Sequence, residues 1–303
     1  MLKVLSFSKR KIKTFAQTIS ATTALLVILT LTATTGFVSV WAATLIGTSG
    51  PDTLAGTDND DKIFGRGGND RISDGLGSDL ISAGSGDDTI ELDGVGGYPY
   101  NASSQDVAYG EKGKDNIISH GDTGFLLIYG GDDDDTVDGG SQGASGRVYG
   151  GSGNDQIQTG DADFDVWGGP GDDYLNGASE CGIRHAFGES GNDRIISPND
   201  FASGGPGNDF IEFVDCLGVA YGDSGNDELR ASDEYDGYEL HGGSGDDKVI
   251  GAGNKDILFG EDENDILTGR GGADSFSCGP GADTITDFNA AEGDTKTADC
   301  ENF

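Results

Sequence analysis

One phrase recurs along this chain at intervals centred on nine residues. It reads YGGSGNDQI at 149–157 and returns as FGESGNDRI (187–195), SGGPGNDFI (203–211), YGDSGNDEL (221–229) and HGGSGDDKV (241–249). A unit this short cannot bury an apolar face alone, so its copies must stack on one another. The apolar residue two places after each repeat aspartate carries the register. From Leu45 it falls at Leu54, Ile63, Ile72, Ile81 and Ile90, with Asp52, Asp61, Asp70, Asp79 and Asp88 in step. After an insertion at about 92–105 the phase resumes at Ala108 and runs on to Ile285. In an extended segment alternate side chains share a face, so one inward apolar residue per unit predicts a short strand per unit. Such a core is thin. The array fills residues 43–285 and leaves no room there for a separate catalytic domain; residues 286–303 break the period and read as a C-terminal cap.

Charge follows the same period. Asp and Glu number 54 against 18 Lys and Arg. Five of those bases (Lys3, Lys9, Arg10, Lys11, Lys13) lie in the first 42 residues, which contain no acid, so the remainder carries 54 acids against 13 bases. That surface repels nucleic acid and anionic lipid, which need clustered bases, and attracts cations. Scattered acids would predict a solvated coil; these are ordered. Glycine is abundant, 54 residues, but without a triplet period and with only 6 prolines it does not spell collagen.

Residues 1–42 join a basic stretch to an apolar one and end Val40-Trp41-Ala42, the pattern of an export signal cut after Ala42. An uncleaved membrane anchor is the alternative, the only route to a membrane, and either way the array faces outside the cell, secreted or at its surface. The four cysteines suit an oxidising compartment and match no zinc spacing. Cys278–Cys300 is expected to pin the tail onto the last repeat, and Cys181–Cys216 is a second, longer-reach pairing. Asn101-Ala102-Ser103 is a glycosylation sequon within the insertion.

The tandem phrase resembles the hemolysin-type calcium-binding family, whose RTX nonapeptide reads G-G-x-G-x-D-x-U-x, from about residue 45 to 285. The resemblance implies an all-β fold, a right-handed parallel β-roll or β-solenoid with two repeats per coil, here about thirteen coils, binding multiple calcium ions between stacked loops. The residue types suit that chemistry. Calcium takes six to eight oxygens at about 2.3–2.6 Å; glycines let a loop turn its carbonyls toward an ion, and the aspartate adds a carboxylate. Folding is then expected to depend on calcium.

Alternate intervals differ. Between Ile128 and Val249 one set (128 to 137, 148 to 157, 166 to 175 and onward) is constantly nine, while the other varies from seven to eleven. A metal loop tolerates no length change and a solvent loop does, which predicts one calcium edge and one variable edge. The expected metal ligands are Asp115, Asp135, Asp155, Asp173, Asp193, Asp209, Asp227, Asp247, Asp265 and Asp283, joined toward the ends by Asp61, Asp70, Asp79, Asp88, Asp256 and Asp274. Asp52 and Asp106 are weaker candidates, since Asp106 follows no glycine loop. Cys278 replaces the first loop glycine before Asp283, and Glu263 replaces another before Asp265.

One residue after each apolar position of the variable-edge strands stand Tyr109, Tyr129, Tyr149, Trp167, Phe187, Ser203, Tyr221, His241 and Phe259. They are expected to form an external ladder, either a structural stack or a platform for a cell-surface glycan or matrix partner. His120, His185 and His241 lie far apart, and there is no serine triad order, HExxH or phosphate loop. The chain therefore reads as a non-enzymatic, structural or adhesive protein. The alternative is a calcium-dependent carbohydrate-binding or polysaccharide-acting protein, with Asp161, Asp163, Asp165 and Trp167 as its cluster.

Overall fold

A computed structural model describes residues 42–93, 105–120, 124–140, 142–178, 182–214, 216–232, 237–300 and 302. The chain winds as a parallel β-solenoid in which successive strands alternate between two sheets. Among the described residues one sheet has fourteen strands and the other thirteen, with every neighbour two strands away in sequence. The repeat apolar residues set the register. Leu45 pairs with Ile63, Ile63 with Ile81, Ile81 with Ala108 and Ala108 with Ile128. On the other sheet Leu54 pairs with Ile72, Ile72 with Ile90, Ile90 with Ile117 and Ile117 with Val137. Thirteen such residues stack in each sheet, ending at Phe276 and Ile285, and each is at most 4 % exposed. An isoleucine buried this way contributes about 2 kcal/mol. The insertion lengthens one coil without shifting this register, as Ile81 still faces Ala108.

The core is thicker than one apolar residue per repeat. Along the variable edge Leu126, Ala144, Phe164, Ile183, Phe213 and Tyr238 are also buried. Their register explains them: Asp106 aligns with Leu126, and further along the stack Gly146 aligns with Phe164 and Phe164 with Ile183. In mid-array the second edge thus replaces its aspartate with apolar side chains, and the corner closes as hydrophobic core. Tyr238 is wholly buried, and its hydroxyl donates to the Cys216 carbonyl at 2.8 Å.

At the C-terminus Thr295–Lys296 adds a strand beside Ser275–Ser277, and Asn302 bridges to Thr284. Phe288 meets Phe276 edge to face at 6.4 Å. The expected Cys278–Cys300 disulfide is formed, with Cα atoms 5.1 Å apart. Cys181, the export segment before residue 42 and the sequon at Asn101 lie outside the described residues, so the structure does not describe the Cys181–Cys216 pairing.

Candidate metal centre

Each loop that leads from the long-stranded sheet into the short-stranded one ends in an aspartate, and these stack in one column: Asp52, Asp70, Asp88, Asp115, Asp135, Asp155, Asp173, Asp193, Asp209, Asp227, Asp247, Asp265 and Asp283. All are at most 8 % exposed. The backbone N–H of each donates to Oδ1 of the aspartate one coil on, at 2.6–2.9 Å, without a break from Asp52 to Asp283. This bond consumes one oxygen of each carboxylate and fixes its orientation. The other oxygen, Oδ2, is buried and has no hydrogen-bond partner in twelve of the thirteen, all but Asp52. Among the described residues no Lys, Arg or His pairs with the column from Asp70 to Asp283.

An unpaired buried carboxylate oxygen is costly, and twelve in file repel one another. Burial, with neighbouring carboxylates adding to it, outweighs the N–H bond each accepts and pushes the groups from Asp70 to Asp265 up. They reach about 6 at Asp155, Asp193 and Asp227, about 7 at Asp115 and Asp247, and about 8 at Asp135, Asp173 and Asp209.

The first loop position crowds against Oδ2. Five residues before each column aspartate stands the first loop glycine, except that Ala83 precedes Asp88 and Cys278 precedes Asp283. A Cβ placed on any of the ten such glycines from Gly65 to Gly260 would lie 2.2–2.5 Å from Oδ2 of its own loop's aspartate. For all of them but Gly204 it would also lie 2.3–2.8 Å from the carbonyl oxygen of the equivalent residue one coil on. A side chain is therefore excluded there, and two hard oxygen donors of the kind calcium takes lie close together. Glycine at this position is demanded by space and not by backbone conformation, since none of the ten has a left-handed φ. The second and fourth loop positions are the left-handed ones, as at Gly151 (φ 119°) and Gly153 (φ 137°). Arg66, Glu111, Glu189, Asp223 and Glu261 hold the second position, and Asp133 and Glu263 the fourth, in spite of their side chains. Outside the column runs a second ladder of opposite sense: from Asn154 to Ala282 each backbone N–H donates to the Asn or Asp side chain one coil earlier, at 2.7–3.1 Å. The sequence reading missed this ladder, although an Asn or Asp before nearly every column aspartate signals it.

Among the described residues, aspartates linked coil to coil on the second edge stand near its ends. Asp61 donates its N–H to Asp79 and Asp79 to Asp106; Asp256 donates to Asp274, and Asp274 to Asp294, a member the period did not reveal. Asp106 is buried in line despite lacking a glycine loop. The expected ligands divide on their second oxygen. Oδ2 of Asp52, Asp61 and Asp256 already accepts an N–H, from Thr48, Thr57 and Ala252 respectively, whereas Oδ2 of Asp79 has no partner. At Asp274 the space is narrowed by Phe276, whose ring lies 2.7 Å from where a Gly269 Cβ would stand.

The external ladder is continuous. Tyr109, Tyr129, Tyr149, Trp167 and Phe187 stack with centroids 4.6–5.3 Å apart, and Tyr221, His241 and Phe259 do so at 4.2–4.4 Å. Ser203 carries no ring; Phe201, two residues earlier and on the same strand face, fills the gap. Within each stacked run the ring faces cover one another and only edges meet solvent, whereas a sugar docks on an open face. Of the acidic cluster, Asp165 is bound by Arg184 at 2.9 Å and by Nδ1 of His185 at 2.8 Å, and Asp163 lies 3.7 Å from Arg184. These carboxylates form an ion-pair network, not a pair poised for acid–base work. The side chain of Asp161 is outside the described ones.

The class is thus a parallel β-solenoid whose stacked turns line one corner with hard oxygen donors. The chain belongs to the RTX calcium-binding nonapeptide repeat family, which matches residues 44–72, 64–94, 127–143, 149–179, 199–212, 239–256 and 250–285, together more than half of its length. No curated protein matches the chain as a relative.

Proposed function

We propose that the protein is exported and acts outside the cell as a calcium-folded structural or adhesive rod. Calcium ions sit between successive loops, held by Oδ2 of Asp70 and of Asp115 through Asp265 in the first column and by the facing first-position carbonyls. The observation that carries this reading is the file of buried, unpartnered Oδ2 atoms, crowded with facing backbone carbonyls at the first loop position. Without metal those charges oppose stacking; with calcium they become the contacts that join one coil to the next, so the ion stabilises the fold by mass action. Affinities in the extracellular range, ~10⁻⁴–10⁻³ M, suit one carboxylate per loop. The biological output is mechanical or adhesive, toward a matrix or cell-surface partner. Circular dichroism during a calcium titration, with magnesium as control, tests the reading: a cooperative gain of β signal with calcium alone supports it, and a folded spectrum in chelator that calcium leaves unchanged removes its mechanism.

A further inference from the structure

In the loop Asp74-Gly75-Leu76-Gly77-Ser78-Asp79 an aspartate takes the first position, where the column loops place glycine. The loop is otherwise regular, with Gly75 and Gly77 left-handed at φ 90° and 142°. Asp74 is wholly buried. Its Oδ1 accepts the N–H of Asp93 at 2.7 Å, and its Oδ2 has no partner. Asp79, 2 % exposed, also has an unpartnered Oδ2, while its Oδ1 accepts from Asp61 at 2.6 Å. Asp106, on the next coil, accepts the Asp79 N–H at 2.9 Å. One oxygen from each of the three carboxylates lies within 4.8 Å of the other two. The coil below packs closely on this loop, since a Cβ on Gly56 would stand 1.7 Å from the Asp74 carbonyl oxygen.

We propose that Asp74, Asp79 and Asp106 form a separate divalent-cation site on the second edge, and that it holds calcium more tightly than the repeated sites. Only the choice of ion rests on the reading above. A column loop offers a single carboxylate and leaves the rest of the shell to carbonyls. Here the first position contributes a carboxylate as well, and a third comes from the neighbouring coil. Ligand charge is what moves an oxygen site toward higher calcium affinity. Two buried, unpartnered oxygens on carboxylates this close together are an incomplete coordination shell, not a solvated acidic patch. An ion held there orders the coils from Asp61 to Asp106 at calcium levels too low to fill the array.

Equilibrium dialysis of the full chain against radioactive calcium tests this. The expected result is one ion per chain retained at a free calcium concentration about tenfold below that which fills the remaining sites. Asp74→Gly, which restores the usual loop residue, and Asp74→Asn, which keeps the shape, should each abolish the tight ion and leave the rest. Asp155→Asn should do the reverse. Uniform affinity across all ions, or a tight ion that survives both Asp74 variants, overturns the proposal while leaving the array reading intact. No calcium binding anywhere would defeat both, and circular dichroism at saturating calcium confirms that the variants fold.

Discussion

Replacing Gly150 by alanine puts a methyl carbon against the two oxygens proposed to hold the ion. The added Cβ would lie 2.3 Å from Asp155 Oδ2 and 2.6 Å from the Gly168 carbonyl oxygen. The local backbone is not left-handed, so the cost there is steric: contacts this short push the carboxylate or the carbonyl out of position with or without metal. The calcium account adds a loss that appears only with the metal. A site filled at a hundred times its dissociation constant contributes about 2.7 kcal/mol to folding, so losing one ion costs about that much in saturating calcium. Calcium titration calorimetry should show at least one ion fewer, and the folding midpoint should move to higher calcium. The reciprocal change is available in the natural chain, because Ala83 occupies this same position in the loop of Asp88. Ala83→Gly should add an ion and lower the calcium midpoint. An unchanged ion count in Gly150→Ala would refute the reasoning.

Acid should replace calcium as the condition for compaction. The column carboxylates from Asp88 to Asp265 in the metal-free fold are raised from an unfolded value near 3.8 to between about 6 and about 8, so the fold binds protons more tightly than the unfolded chain. Their penalty is absent below pH 4, grows as pH rises through that window, and reaches about 4 kcal/mol for a group at 7. A few such groups match the whole stability of a domain, and small-angle scattering in chelator should show a compact chain near pH 4 that expands toward pH 8. Trp167→Ala removes two stacked pairs, at 4.6 and 5.3 Å, and should destabilise by about 1–3 kcal/mol, read as a raised calcium midpoint. Cys300→Ser opens a crosslink spanning 22 residues and should cost about 3 kcal/mol, with hydrogen exchange rising around Phe276 and Ile285 but not around Ile157.

Much of this architecture is written in the nine-residue spacing. Counting from Leu45 places each stacked apolar residue of both sheets, and the constant intervals separate the regular column from the variable edge, because a loop of fixed geometry cannot change length. What the count did not reveal is what fills the second edge. Leu126, Phe164 and Tyr238 stand two residues before Ile128, Val166 and Leu240, at the position the repeat gives to aspartate, and with Ile183 they close that corner as core. Asp294 follows Asp274 by twenty residues, beyond the regular step, and joins the second edge through a backbone bond. Phe201 enters the aromatic ladder by strand alternation at the one coil shortened to sixteen residues. The distinction between Asp70, with an unpartnered oxygen, and Asp61, already satisfied by Thr57, depends on a local N–H that no residue type announces.

The most direct test of the central claim is a crystal structure grown in calcium and measured for anomalous scattering. The account predicts a file of calcium peaks along the first column, each within 2.3–2.6 Å of an Oδ2 such as that of Asp155 and of the facing glycine carbonyls. A folded solenoid with water or nothing in front of those oxygens would contradict it.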